Sequence, residues 1–211
     1  MDKISILIVD DHKLIRESWS LILNTDPRFE VIGEISSGEE AITFVSEIMP
    51  DIILMDVNMK PMSGFEASKE IRKISPDSKI IGVSIHNMPA YAKKMVNLGA
   101  KGYLTKNSSK EEMILAINAV SKGKEYICEE VKGILRKKVL SGDEVKPDLS
   151  ILSSRELEVI NLIRDGLSSK EIALQLNIAL KTIEVHRYNI LKKLKLKNTA
   201  SLINFINEHG L

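Results

Sequence analysis

Five short apolar runs recur through the first 122 residues, at 4–9, 31–35, 52–55, 80–84 and 102–104, and most of their residues are β-branched. The runs are apolar along their length rather than alternating, broken only by Ser5, Glu34 and Ser84, which implies a sheet covered on both faces. Helical-period segments separate and follow them, at 12–24, 37–48, 63–73, 88–98 and 108–122. Five such β–α repeats with short connections require parallel strands joined by right-handed crossovers.

Beyond residue 122 the strand signal stops. Residues 129–140 read as a short helix, and 141–147 (SGDEVKP) as a flexible polar linker. From Leu152 onward the pattern is helical: 153–165, 169–176, 180–194 and 198–208, with Gly166 placed as a helix C-cap. Capping-box spacings appear at Ser109/Glu112, Ser153/Glu156 and Ser168/Glu171. The expected fold class is an α/β first domain, flavodoxin-like, with a five-stranded parallel sheet in the order 2-1-3-4-5. An all-α four-helix domain follows. The expected domains are 1–122, a partly helical linker at 123–147, and 148–211.

One cysteine, Cys128, excludes an internal disulfide framework and is read as inert. No apolar run approaches the ~18 residues that span a bilayer, and the N-terminus lacks a signal-peptide pattern. A cytoplasmic protein without a membrane partner is expected. Net charge is +1, but its distribution is uneven: residues 181–197 hold six cations (Lys181, Arg187, Lys192, Lys193, Lys195, Lys197) against Glu184. Such a patch attracts a phosphate backbone, although charge alone also fits a solvated helix face.

In a parallel α/β sheet, chemistry collects at the carboxyl ends of the strands. Asp10 and Asp11 follow the first run, Asp56 the third, Ser84 ends the fourth, and Lys106 follows the fifth. In the order 2-1-3-4-5 the first and third strands are neighbours, so the three carboxylates converge. They repel unless a cation lies among them. Oxygen ligands favour Mg²⁺ or Mn²⁺ over zinc or copper, and Lys106 adds a second positive charge. An Asp so placed is a nucleophile for a phosphoryl group.

The segments ILIVDDH, IILMDVNM, IGVS and GYLTK resemble the signatures of receiver domains, in order and with the expected spacing over residues 1–122. The resemblance implies that Asp56 is the phosphoacceptor. It implies that Asp11, Asp56 and the backbone carbonyl of Asn58 ligate the metal, with Asp10 nearby or acting through water. Ser84 and Lys106 would sense the phosphoryl group, and Tyr103 would be the aromatic that swings inward on phosphorylation. Asn58 and His86 hold positions that tune hydrolysis in this family. Two departures stand out: Lys60 precedes Pro61 where the family commonly has proline one residue earlier, and Ile85 replaces a small residue, which would narrow access. His12 and His86 receive no catalytic role, and Trp19 is read as packing.

Residues 152–206, including LSSRELEVI, GLSSKEIA and KTIEVHRYNILKKL, resemble the LuxR-type helix-turn-helix. The resemblance assigns Lys181, Thr182, Arg187, Asn189 and Lys192 to DNA phosphates. Glu184, Val185 and Tyr188 fall to base edges, Glu184 suited to cytosine N4 and Val185 to a thymine methyl. The last helix resembles the family's dimerisation helix.

Together the parts resemble a two-component response regulator of the NarL/FixJ type. The implied partners are a sensor histidine kinase, double-stranded promoter half-sites and a second copy of the chain when phosphorylated. Catalytic activity is expected to extend at most to self-phosphorylation and self-dephosphorylation. Two rivals remain at this stage. An Asp-nucleophile phosphatase would place its nucleophile after the first strand with a second acid two residues on, whereas here Asn58 holds that second position. A DNA-binding protein with a phosphate-independent dimerisation domain would have no use for a complete pocket.

Overall fold

The structure, a computed structural model, describes residues 3–140 and 149–208. The chain divides into two compact units, Met1–Gly142 and Asp143–Leu211.

The first unit carries strands β1 (Ile4–Val9), β2 (Phe29–Ile35), β3 (Ile52–Asp56), β4 (Lys79–Ser84), β5 (Gly102–Thr105) and β6 (Tyr126–Ile127). All pair in parallel, in the order β2-β1-β3-β4-β5-β6. Helices α1 (Lys13–Asn24), α2 (Gly38–Glu47), α3 (Gly64–Ile74), α4 (Pro89–Asn97) and α5 (Lys110–Ser121) connect the strands, and α6 (Glu129–Leu140) follows β6.

The two central strands explain the unbroken apolar runs. Ile6 to Val9 and Ile52 to Met55 have no exposed surface. Each such side chain contributes about 1.5–3 kcal/mol by leaving water. Pairing runs from Ile6↔Ile52 to Val9↔Met55, so the residues that leave these strands, Asp10 and Asp56, emerge side by side. Asp56 pairs with Val83, and Ser84 with Thr105, which brings the third, fourth and fifth strand ends to one edge. Gly64 lets α3 start against that edge: a Cβ there would lie 2.0 Å from the Asp56 carbonyl oxygen.

One sequence expectation needs correction. The strand signal does not end at 122, and the sheet has six strands rather than five. β6 extends it through Gly102↔Tyr126 and Tyr103↔Ile127. Two half-buried residues are too few to form a readable run. The expected helix over 129–140 is α6, which belongs to the first unit and buries Cys128 and Val131 there. The expected flexible linker at 141–147 lies outside the described residues.

The second unit opens with a 3-10 turn, Leu149–Ile151, and continues with α7 (Ser154–Arg164), α8 (Ser169–Gln175), α9 (Leu180–Lys193) and α10 (Thr199–Glu208). Full capping boxes start α7 (Ser153/Glu156) and α8 (Ser168/Glu171). Gly166, Asn177 and Lys195 take positive φ just past α7, α8 and α9, the left-handed step that ends a helix. Leu157, Ile160, Ile172, Ile183, Ile190 and Leu202 form its core.

Candidate functional site

The β1–β3–β5 edge gathers the acidic groups that the sequence pointed to. Asp10 and Asp56 are both fully buried. Lys106 lies between them, with Nζ 2.7 Å from Asp10 Oδ2 and 2.8 Å from Asp56 Oδ2. The second contact is an aligned hydrogen bond, whereas Asp10 Oδ2 pairs by charge without that alignment. The other Asp56 oxygen, Oδ1, accepts the Asn58 N–H at 2.9 Å.

Two buried carboxylates so close resist double ionisation. Burial pushes the Asp56 carboxyl up and neighbouring Asp10 adds to the rise. Lys106 and the Asn58 N–H offset only part of it, and the group titrates at about 6. For Lys106, burial alone works against the charge, but Asp56 and Asp10 outweigh it and hold the ammonium above its ordinary range.

Asp11 lies at the mouth of the pocket with His12. The His12 Nδ1 is 2.7 Å from Asp11 Oδ1 and 3.1 Å from Asp10 Oδ1. Asp10, Asp11, His12 and Asp56 present ligand atoms that all lie within 4.8 Å of one another. This geometry and its predominance of carboxylate oxygens fit a divalent cation. Sequence reasoning gave His12 no part here. Its place directly after the two aspartates was the available signal, but one residue past a strand end is an ordinary surface position. Arg16 was also missed. From α1 its guanidinium donates to the Asp10 carbonyl, holding the loop that presents both acids.

Ser84 and Tyr103 are present but engaged elsewhere. The Ser84 hydroxyl donates to Asn58 Oδ1 at 2.7 Å and accepts the His86 N–H at 3.1 Å. Tyr103, expected to swing inward on phosphorylation, is already fully buried, and its hydroxyl donates to the His86 carbonyl at 2.7 Å. That burial holds its phenol well above the usual range. Ile85 points largely to solvent. The Lys60–Pro61 peptide bond is cis.

In the second unit, α9 turns Lys181, Thr182, Glu184, Val185, Tyr188 and Lys192 outward. Val185 is 50% exposed and Tyr188 64%, unusual values for apolar side chains whose helix neighbours Ile183 and Ile190 have none. Arg187 and Asn189 are half-buried. The Arg187 guanidinium reaches Thr199 Oγ1 at 3.4 Å, and burial lowers its pKa. Beneath this face, Lys193 donates to the buried Glu156 carboxylate at 2.6 Å, tying α9 to the capping box of α7. His186 is half-buried, and burial lowers its pKa. Among the described residues no helix is long and apolar enough to cross a membrane.

Comparison with known proteins matches both units. The response regulator receiver domain family covers residues 6–118, and the bacterial regulatory proteins of the luxR family cover residues 150–206. The nitrate/nitrite response regulator protein NarP of Escherichia coli is 36% identical over 206 residues, covering 97% of this chain and 95% of NarP. The oxygen regulatory protein NreC of Staphylococcus aureus is 36% identical, covering 95% of each chain. A solved structure of the Salmonella typhimurium RcsB response regulator is similar with a TM-score of 0.63 and 26% identity, covering 98% of this chain and 99% of that one. The order of the two units, the acidic strand-end pocket and this likeness along the whole length place the chain in one family: it belongs to the two-component response regulators of the NarL/FixJ type, a receiver domain followed by a LuxR-type regulatory domain.

Proposed function

We propose that Asp56 accepts a phosphoryl group from a partner sensor histidine kinase and that its charging controls DNA binding by the second unit. The observation that carries this reading is the shared lysine: Lys106 bridges two fully buried carboxylates, one of which ends β3. In the transfer, an Asp56 oxygen forms the new bond to phosphorus. The phosphorus–nitrogen bond of the donor phosphohistidine breaks, and its electron pair leaves with the imidazole. The product is an acyl phosphate.

Asp11, Asp56 and the Asn58 backbone carbonyl would hold a divalent cation, Mg²⁺ or Mn²⁺, with Asp10 nearby or acting through water. Such an ion neutralises phosphoryl oxygens during transfer. Lys106 supplies the opposing positive charge. Ser84 turns its hydroxyl from Asn58 to a phosphoryl oxygen, and Tyr103 moves with the Ser84–His86 segment it is bonded to. Members of this family regulate transcription and are not classical enzymes. We assign this chain at most self-phosphorylation and self-dephosphorylation, with residues 1–122 as receiver, 123–147 as a connector whose β6 and α6 pack on the receiver within the first unit, and 148–211 as DNA-binding domain.

On α9, Lys181, Thr182, Arg187, Asn189 and Lys192 are proposed phosphate contacts, and Glu184, Val185 and Tyr188 proposed base-edge contacts. RcsB dimers bound to DNA, in a structure 26% identical with a TM-score of 0.61 covering 98% of each chain, support DNA binding by a homodimer. That the dimer forms on phosphorylation and sits on paired promoter half-sites is part of the proposal. A cytoplasmic location is part of this reading. The test is labelling of the full chain by a small phosphodonor with Mg²⁺, read by intact-mass spectrometry and peptide mapping. A stable adduct on Asp56 is expected. Rapid, repeated turnover of the donor with an adduct that never accumulates would favour the phosphatase reading.

A further inference from the structure

Helix α6 continues the chain from the receiver sheet toward the second unit, and its first turn meets the pocket edge through one side chain. Glu130, the second residue of α6, accepts from the Thr105 hydroxyl through Oε2 and from the Asn87 side-chain amide through Oε1, both at 2.8 Å. Glu130 itself is exposed, so its carboxylate could be solvated by water; the bond from Thr105 satisfies that buried hydroxyl and ties α6 to the strand end.

The two partners are unusual in their neighbours. Thr105 is buried, pairs with Ser84 in the sheet and immediately precedes Lys106, which holds both buried carboxylates. Asn87 immediately follows His86, whose N–H is held by the Ser84 hydroxyl and whose carbonyl accepts the Tyr103 hydroxyl. One carboxylate therefore grips both loops that flank the pocket. Around it α6 is anchored independently: the Cys128 N–H donates to the Tyr103 carbonyl, and Glu112 accepts the Glu129 N–H.

We propose that Glu130 is a latch joining α6 to the unphosphorylated pocket, and that phosphorylation of Asp56 releases it. This rests on the proposed role of Asp56. When the Ser84 hydroxyl turns to a phosphoryl oxygen, it no longer holds the His86 N–H in its present place. The 85–87 segment re-forms and Asn87 withdraws from Oε1. Lys106 shifts toward the new charge and draws Thr105 with it. With both bonds lost, the start of α6 keeps its backbone anchors but loses its side-chain tie. Glu130 touches no reacting atom; it is a positioning residue for the output of the switch.

Hydrogen exchange on the full-length chain tests this, with Mg²⁺ present and with or without beryllofluoride as the phosphoryl mimic. In the wild type the mimic is expected to speed exchange of the first α6 turns by about five- to 150-fold, the range of ordinary coupling between sites. Glu130→Ala should show the fast α6 exchange without the mimic and respond to it less than about twofold, while its β1 and β3 amides stay protected. Glu130→Gln should restore the wild-type response, since its oxygen still accepts from Asn87 and its amide can donate to Thr105. Asn87→Ala, which removes one bond from the loop side, should fall between. An unchanged α6 in a wild type whose Asp56 is demonstrably charged overturns the latch alone, and so does an undiminished response in either alanine variant. Failure of Asp56 to take any phosphoryl group or mimic overturns the underlying reading, and the latch with it.

Discussion

The receiver pocket and the outer face of α9 both concentrate charge, yet they use it in opposite ways. In the pocket, Asp10 and Asp56 have no exposed surface and share one largely buried lysine. On α9, Lys181, Glu184 and Lys192 stand in solvent. Buried charges interact through a low local dielectric, so each group strongly alters the others, and removal of one leaves its neighbours uncompensated. Exposed charges are screened by salt and act almost independently until a polyanion arrives. The pocket is therefore built to respond steeply to one added phosphoryl group. The α9 face is built to sum many weak contacts. A covalent event belongs in the first environment and a reversible, salt-dependent one in the second.

The sharpest way to break this contrast is Asp56→Asn, which should abolish labelling by a small phosphodonor, as read by intact mass. Labelling at an undiminished level would move the acceptor elsewhere. Next is Lys106→Met, which strands two buried carboxylates. Without divalent cations it should cost the first unit about 3–5 kcal/mol, the scale of breaking a buried pair. Mg²⁺ should return much of that. Trp19, the single tryptophan, lies on α1, so its fluorescence during denaturation follows the first unit alone. A loss under about 1 kcal/mol would mean that the pocket is more solvated than its burial implies.

The pH dependence follows from the same burial. With no metal, Asp56 titrates at about 6 in the folded chain against 3.8 for an ordinary carboxyl. Between those values the folded chain holds a proton that the unfolded chain has released. This contribution is therefore fully present below pH 3.8 and is lost as pH rises through about 6. A shift of about two units corresponds to about 3 kcal/mol. Denaturation monitored at Trp19 should show this fall, and Asp56→Asn should flatten it. An unchanged slope in the variant would assign the proton to another group.

Smaller effects are expected on α9. Lys192→Ala should weaken binding to all DNA sequences alike and reduce the salt slope by about one. Val185→Ala should instead cost about 1–3 kcal/mol at preferred sites and relax discrimination. Titrations of matched and scrambled duplexes at several salt concentrations separate the two. If Lys192→Ala changed sequence preference, or Val185→Ala weakened all duplexes equally, the division into backbone and base contacts would be wrong.

Much of this was legible in the sequence because its signals are local. The first run, 4–9, is β1 to the residue, since two aspartates end it. The boxes at Ser153 and Ser168 formed as their spacing implied. Asp10, Asp56 and Lys106 could be placed together once the strand order was inferred. What the sequence hid depends on partners distant in the chain. Ser109 caps α5 by accepting from the Glu112 N–H, but the Glu112 carboxylate goes to the Glu129 N–H instead of returning to Ser109. Its spacing announced a box, and tertiary contact redirected it. A further box, Ser63/Glu66, starts α3, and its spacing is as local a signal as the others. β6 was too short to register, and Glu130 acquires meaning only through Thr105 and Asn87, 25 and 43 residues away.

The central claim is that charge placed on Asp56 changes how the second unit reads DNA. The most direct measurement is the affinity of the full chain for a selected DNA site in Mg²⁺, before and after treatment with a phosphodonor, with Asp56→Asn in parallel. A gain of about five- to 150-fold in the wild type, equivalent to about 1–3 kcal/mol of coupling, with none in the variant, is the predicted result. Equal affinities for charged and uncharged wild type, or a gain that survives in Asp56→Asn, would contradict it.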